Sequence, residues 1–409
     1  MSLAPICDLV ILTGEPSGDA YGAAILEALK QERPELVCAA MGGEYLRNAG
    51  AEVEQGIEGM AVMGLGPVLA RLPEFIRIGL RVERMIRARR PKVVLTIDYP
   101  GMNLRILRKI QDLRRDGTRF VHLVAPQVWA WKPRRAKSVA ASVDRLLCFF
   151  PFEPALFNRF SDRYRFQADF VGHPLVDLVQ SIDTAPLDRE QGWSADDPLL
   201  LLAPGSRRRE IDSLLPVFHQ AAELALPRLE RLSGRPVRVA VARVAEQPLE
   251  AYRRVTHFPL IEGRYRALCT RAHCGLVASG TATLEAALCG LPHVIAYRTD
   301  RFSYTLGRKL LLTDHVGLPN IVADARIVPE VLQEQCTRDR LCAHLLRQWE
   351  DGPVRTTMLA DLAATRRRLG AGGAIGRIAA LLGNELDRGL RRSTQGMRSL
   401  TEAEAEMDT

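Results

Sequence analysis

At 409 residues the chain exceeds one ordinary domain of about 100–200 residues, so two α/β domains sharing a cleft are the starting expectation. Its 47% hydrophobic and 25% charged residues exclude a disordered, collagen-like or fibrous chain. The net charge of +8 is uneven, with 18 Lys/Arg against 5 Asp/Glu in residues 61–140, a local +13 against −5 elsewhere; this suits a face that meets phosphate, as nucleic acid, anionic lipid or a phosphorylated substrate, or else a solvated surface on ordinary helices.

In chain order, the apolar run Leu9–Thr13 ends at Gly14, and a helical pattern through Ile25, Leu26 and Leu29 follows, giving strand, loop, helix. The loop Gly14-Glu15-Pro16-Ser17-Gly18-Asp19 turns backbone N–H groups and a helix's positive end towards a ligand, or is a tight turn capped by Ser17 or Asp19. It is neither GxGxxG nor a Walker A loop, which removes the best evidence for NAD or ATP. Val62–Arg90 mixes Leu69, Leu72, Phe75, Ile76, Leu80 and Met85 with Arg71, Arg77, Arg81, Arg84 and Arg87, and reads as a basic amphipathic helix of the surface-binding kind. The strand Val93–Ile97 ends at Asp98, ahead of a helix through Leu104, Leu107 and Ile110. There Asp98 could serve as a base on the ligand side of a doubly wound sheet, or cap the helix that begins near Asn103. After the strand Phe120–Val124, Trp129 and Trp131 stand beside Lys132, Arg134 and Arg135, which suits sugar stacking, a membrane interface or core packing.

The polar stretch 183–198, with Pro186, Gly192 and Pro198, reads as a linker between an N-terminal domain (1–182) and a second one (199–365). Strands then recur at Leu199–Ala203, Val237–Ala242, Gly275–Ala278 and His293–Tyr297. Near-continuous apolar strands imply parallel sheets covered on both faces, so the fold expected is α/β with twin doubly wound domains. Ser279-Gly280-Thr281 opens a helix whose amides could hold a diphosphate, with Glu285 about one and a half turns on, and Arg207 would approach the same sheet edge unless Glu210 claims it. Gly317-Leu318-Pro319-Asn320 is a turn with a single amide. Residues 366–409 read as basic helices packing back on the first domain, then an acidic tail with a frayed end. Eight cysteines without a CxxC pair read as reduced thiols, and no zinc-type spacing is present. No apolar run reaches about 18 residues and Met1–Asp8 lacks a secretory pattern, so a cytoplasmic location is expected.

Together these segments resemble the lipid-A-disaccharide synthase family from about residue 8 to 385. The resemblance rests on GEPSGD at 14–19, MGG at 41–43, VMG at 62–64, ARLP at 70–73, ID at 97–98, VWAW at 128–131, FPFE at 150–153, FVGHPL at 170–175, PGSR at 204–207, ASGTATLE at 278–285 and LPN at 318–320. Family members usually read IDAPDFN where this chain has IDYPGMN, and carry serine where it has Gln127. The resemblance implies a GT-B inverting glycosyltransferase of two Rossmann-like domains facing a cleft, working without a metal or other cofactor. It would join UDP-2,3-diacylglucosamine to 2,3-diacylglucosamine 1-phosphate through a β-1′,6 linkage, on the cytoplasmic face of the inner membrane, and leaves room for a homodimer. Transferred residue by residue, it implies Asp98 as catalytic base with Glu15 in reserve. Arg207, Ser279, Gly280, Thr281, Glu285 and Asn320 fall on the UDP side, and Ser17, Asn103, Trp129, Trp131 and His173 on the acceptor side. The rivals are another GT-B UDP-N-acetylglucosamine transferase or epimerase with a different acceptor and, from another class, a basic nucleic-acid-binding protein; no nucleic-acid recognition module appears.

Overall fold

The computed structural model describes residues 7–58, 60, 71–131, 133–299 and 313–389, without the side chain of Trp131. VMG at 62–64, Leu69, Lys132 and the acidic tail lie outside the described residues. The chain divides into two compact units, Met1–Pro174 with Gly372–Thr409, and Leu175–Ala371.

Unit 1 holds a seven-stranded sheet in the order β3-β2-β1-β4-β5-β6-β7. Its strands are β1 (Leu9–Leu12), β2 (Cys38–Met41), β3 (Glu52–Gln55), β4 (Val93–Ile97), β5 (Arg119–Leu123), β6 (Arg145–Cys148) and β7 (Gln167–Phe170). All six pairings are parallel. Unit 2 repeats the plan with six strands in the order β10-β9-β8-β11-β12-β13: β8 (Leu199–Ala203), β9 (Arg238–Arg243), β10 (Leu260–Glu262), β11 (Cys274–Ala278), β12 (His293–Tyr297) and β13 (Glu330–Leu332). Every residue of β1, β4, β8 and β11 is buried, as strands covered on both faces require. The strand order reverses between β1 and β4 in unit 1 and between β8 and β11 in unit 2. Those switch points are where a doubly wound sheet takes its ligands, beyond the carboxyl ends of the strands.

The helices that matter below are α1 (Pro16–Glu32), α2 (Glu44–Asn48), α3 (Leu72–Arg89), α4 (Pro100–Lys109), α5 (Ala185–Gln191), α6 (Arg208–Ser233), α7 (Glu250–Arg253), α8 (Thr281–Leu288) and α9 (Leu318–Ala323), with residues 374–389 forming α10. Residues 183–198, expected as a linker, carry α5 instead. Leu187 of α5 is buried with Leu199 and Leu201, and Asp188 pairs with Arg271 at 3.0 Å, so this polar stretch is fastened to unit 2. Composition marked its solvent face and missed the one buried leucine. α10 belongs to unit 1: Ile378, Leu382 and Leu386 share a core with Leu9, Ile11 and Ile25, and fully buried Glu385 pairs with Arg119 (2.7 Å) and Arg145 (3.2 Å) at the entry of β5 and β6.

Candidate functional site

At the unit 1 switch point, β1 runs into Gly14–Glu15 and the neighbouring β4 into Asp98–Tyr99. Asp98 and Tyr99 both hold left-handed backbone, φ +46° and +47°, a strained choice for tyrosine at the end of a buried strand. The strain lays the Tyr99 ring over Gly14, where a Cβ would come within 2.5 Å of the ring. Tyr99 donates its hydroxyl to Met60 O (3.2 Å), and burial followed by the charge of Glu15 raises its pKa. Asp98 accepts from the backbone N–H of Tyr99, and Glu15 acts on the tyrosine through its charge. Burial raises the Asp98 pKa against a smaller opposing bond from the Tyr99 N–H.

Asp98 does not cap α4, which starts at Pro100 with Tyr99 in the cap position. Asn103, fully buried, instead donates to the carbonyls of Asp98 (2.8 Å) and Ile97 (3.3 Å) and fixes the turn. Nor does Ser17 or Asp19 cap α1, whose cap is Glu15, with no side-chain cap bond. Ser17 is exposed on the first turn. Asp19 is buried and accepts from the N–H groups of Gly43 (2.7 Å) and Tyr45 (3.0 Å) at the start of α2. Any Cβ on Gly42 or Gly43 would strike that carboxylate at 2.9 or 2.7 Å, so GEPSGD and MGG are two halves of one junction.

Beyond β5, β6 and β7 an aromatic chain forms. Trp129 meets Phe152 edge-on at 5.2 Å, Phe152 stacks with Phe150, and His173 lies between Phe150 (5.7 Å) and Phe149 (4.9 Å). Burial holds the His173 pKa down at about 4, so the ring is neutral and packs like an aromatic. Trp129 Nε1 donates to Glu153 (3.2 Å), whose other oxygen accepts from the Phe150 N–H (3.1 Å); burial nevertheless pushes Glu153 up to about 8.

In unit 2 the loops after β8, β11, β12 and β13 line a pocket of about 850 Å³. Arg207, Arg208, Arg209 and Arg298 make it basic, and Ser279, Tyr297 and Thr299 complete most of the wall. Glu210, in the first turn of α6, accepts from the Arg207 N–H (3.2 Å) and pairs with its guanidinium at 3.0 Å, so the surface pair weighed from sequence forms, yet Arg207 still faces the pocket. Gly205, at φ +109°, leaves room for that glutamate. Gly280 and Thr281 are exposed at the start of α8, with Gly280 at φ +148°. Glu285, one helical turn further, is turned to Arg266 Nε (2.7 Å), and burial raises its pKa against that charge. Asn320 is wholly buried: it donates to Val328 O (2.9 Å) and Glu330 Oε1 (2.8 Å) and accepts from the Val328 N–H (2.9 Å).

Sequence reasoning named Asp98, Glu15, Arg207 and Ser279, and the two switch points gather them. It missed Tyr99, Glu153, Arg208, Arg209 and Arg298. Arg298 directly follows β12, so the rule that found Asp98 would have found it; Glu153 gives no local signal, because only burial sets its character.

The family model of the lipid-A-disaccharide synthetases matches residues 9–366. The lipid-A-disaccharide synthase of Myxococcus xanthus is 36% identical over 382 residues, covering 91% of this chain and 95% of its own. That of Neisseria meningitidis serogroup B is 36% identical over 358 residues, covering 86% and 90%. Among solved structures, the Neisseria meningitidis UDP-GlcNAc 2-epimerase bound to UDP-GlcNAc superposes with a TM-score of 0.60 at 13% identity, over 93% of this chain and 100% of its own. The calicheamicin glycosyltransferase CalG4 gives 0.54 at 15% identity, over 93% and 99%. At such identities the structural likeness establishes the fold, which is GT-B.

Proposed function

This chain belongs to the lipid-A-disaccharide synthetase family and is a glycosyltransferase forming the lipid A disaccharide, and from that premise we propose how its residues share the work. Unit 2 takes UDP-2,3-diacylglucosamine, and unit 1 takes 2,3-diacylglucosamine 1-phosphate. The observation that carries the reading is the contrast between the two switch points: carboxylates near a partly buried tyrosine in unit 1, and four arginines around a pocket in unit 2. Asp98 removes the proton from the acceptor's 6-hydroxyl as it attacks the anomeric carbon opposite UDP, with Glu15 as the reserve base. Burial raises its pKa, which makes its carboxylate a stronger base than that of a solvated aspartate.

On the donor side, Arg207 and the amides of Ser279, Gly280 and Thr281 neutralise the diphosphate as it departs, contacts worth more in the transition state than before it. Glu285 reaches a ribose hydroxyl by sharing its carboxylate with Arg266, which enters as its orienting partner. Asn320 acts by position, since both amide atoms are engaged internally. Trp129 offers the acceptor sugar an aromatic face and Ser17 borders it, while buried His173 and Asn103 support that side from within the fold; the Trp131 side chain lies outside the described residues.

Docking on an anionic bilayer, at the cytoplasmic face of the inner membrane, falls to α3. Leu72, Ile76 and Leu80 are exposed along one strip and Arg77, Arg81 and Arg84 along the next, the arrangement of a helix lying in a membrane interface. Arg87, expected among these, is held by Glu83 (3.2 Å) and Asp112 (2.5 Å).

Incubating the purified chain with both acylated substrates should yield the disaccharide and UDP. Turnover of unacylated UDP-N-acetylglucosamine alone, with no disaccharide from the acylated pair, would replace this reading with an epimerase or another transferase. Arg207→Ala should weaken UDP binding and slow transfer together; unchanged values for both would remove Arg207 from the site.

A further inference from the structure

Away from the donor pocket, His219 and Glu223 stand one turn apart on α6, at the i,i+4 spacing that puts two side chains on one helical face. His257, from the segment after α7, completes a group in which one ligand atom from each residue lies within 4.8 Å of the other two. We propose that His219, Glu223 and His257 form a binding site for a borderline divalent transition metal, of the zinc class, that clamps the His257 segment onto α6.

Three observations support it. The His257 Nε2 to Glu223 Oε1 distance is 3.3 Å, close to the edge of about 3.3–3.4 Å that bonds of about 2.0–2.1 Å would make in a tetrahedral zinc site. Two imidazoles with one carboxylate match the donor preference of zinc and its neighbours, whereas magnesium selects oxygen alone. The rings are also held from behind: Thr256 Oγ1 lies 3.2 Å from His219 Nδ1, and the buried Phe258 ring packs at 5.1 Å from His219 and 4.6 Å from His257. A hydrogen-bonded oxygen on the second nitrogen is what orients a metal-bound histidine, and here the buried Thr256 hydroxyl stands where a carboxylate, carbonyl or water is commoner. Glu223 and His257 are exposed, so the fourth position opens to water.

His219 lies about 9 Å along α6 from Ser213, which lines the donor pocket, so a clamp here would steady the helix that carries Arg207 without joining the reaction. The test is calorimetric titration of the untagged, fully reduced chain with Zn²⁺. One saturable equivalent is expected, weakened at least about 10–100-fold in His257→Ala and in Glu223→Gln, the range seen when a metal ligand loses even its outer support. Zn²⁺ should raise the melting temperature of the unmutated chain more than that of either variant. Co²⁺ should give visible ligand-field bands without a thiolate charge-transfer band. Because the two substitutions lie on different elements, misfolding of one leaves the other to decide. Equal Zn²⁺ affinity in both variants, a thiolate band with Co²⁺, Mg²⁺ binding as tight as Zn²⁺, or no saturable binding would each overturn the site.

Discussion

Single residues at the unit 1 switch point carry more constraint than their motifs suggest. Asp98 and Tyr99 hold left-handed backbone that costs of order 1–3 kcal/mol each, and the return on that strain is a tyrosine ring laid on Gly14 beside Glu15. In Asp98→Asn the side-chain size and one acceptor oxygen remain while basicity is lost, so turnover should fall by about 10²–10⁴-fold with UDP affinity and melting temperature near those of the unmutated chain. The acid limb of the rate profile should lie above the ordinary aspartate value, because burial raises this carboxyl, and should vanish from the residual activity of the variant. Near-normal turnover would make Asp98 structural and send the search to Glu15.

At the scale of elements, two helices are tuned to different surroundings. α3 buries Val82, Met85 and Ile86 on one side and leaves Leu72, Ile76 and Leu80 exposed beside a row of arginines. Replacing Arg77, Arg81 and Arg84 by Glu should cut binding to anionic vesicles, since each cation near such a surface contributes about 1 kcal/mol, while UDP affinity holds. Vesicle binding that survives the triple change would place the docking face elsewhere. α10 is fastened differently, by a buried carboxylate between two arginines as well as by its apolar face. Glu385→Ala should cost about 3–5 kcal/mol in urea unfolding, toward the lower figure because Arg119 keeps Asp144 (2.7 Å) and Arg145 keeps Asp169 (3.1 Å). A loss below about 1 kcal/mol, the scale of an exposed pair, would mean that the apolar face alone holds the helix.

Across the whole molecule, buried titratable groups set how stability responds to pH. Burial depresses His122 to about 3 and His173 and His293 to about 4 from the ordinary 6.5. Unfolding releases rings that take up protons more readily, so the stability these residues contribute is present above about pH 6.5 and lost as pH falls through their folded values. Glu153 acts with the opposite sign: raised to about 8, it contributes stability that is full below about 4.5 and lost as pH rises towards 8. Between pH 6.5 and 8 the histidines have finished titrating, so the unfolding free energy should decline on the alkaline side by on the order of 1 kcal/mol per pH unit, with the melting temperature falling alongside, and Glu153→Gln should flatten that decline. A flat wild-type profile there would show that Glu153 is ionised in the fold. The apolar runs of β1, β4, β5, β8, β11 and β12, and the punctuating Gly14, Asp98, Gly205 and Gly280, were legible from sequence, each within a residue or so, because burial on both faces and turn geometry are local demands. The fold class followed from them and the family from the resemblance of the motifs between them, while the strand order that makes the two switch points came from the structure. What only the tertiary structure decided rests on partners distant in the chain: Asp19 serving Gly43 and Tyr45 of another helix, Leu187 burying a stretch that composition made a linker, Glu153 raised by burial among aromatic rings, and Glu385 reaching Arg119 across 266 residues. Such contacts depend on which strands become neighbours, and a charge or an apolar residue has no local pattern that tells a buried partner from a solvated one.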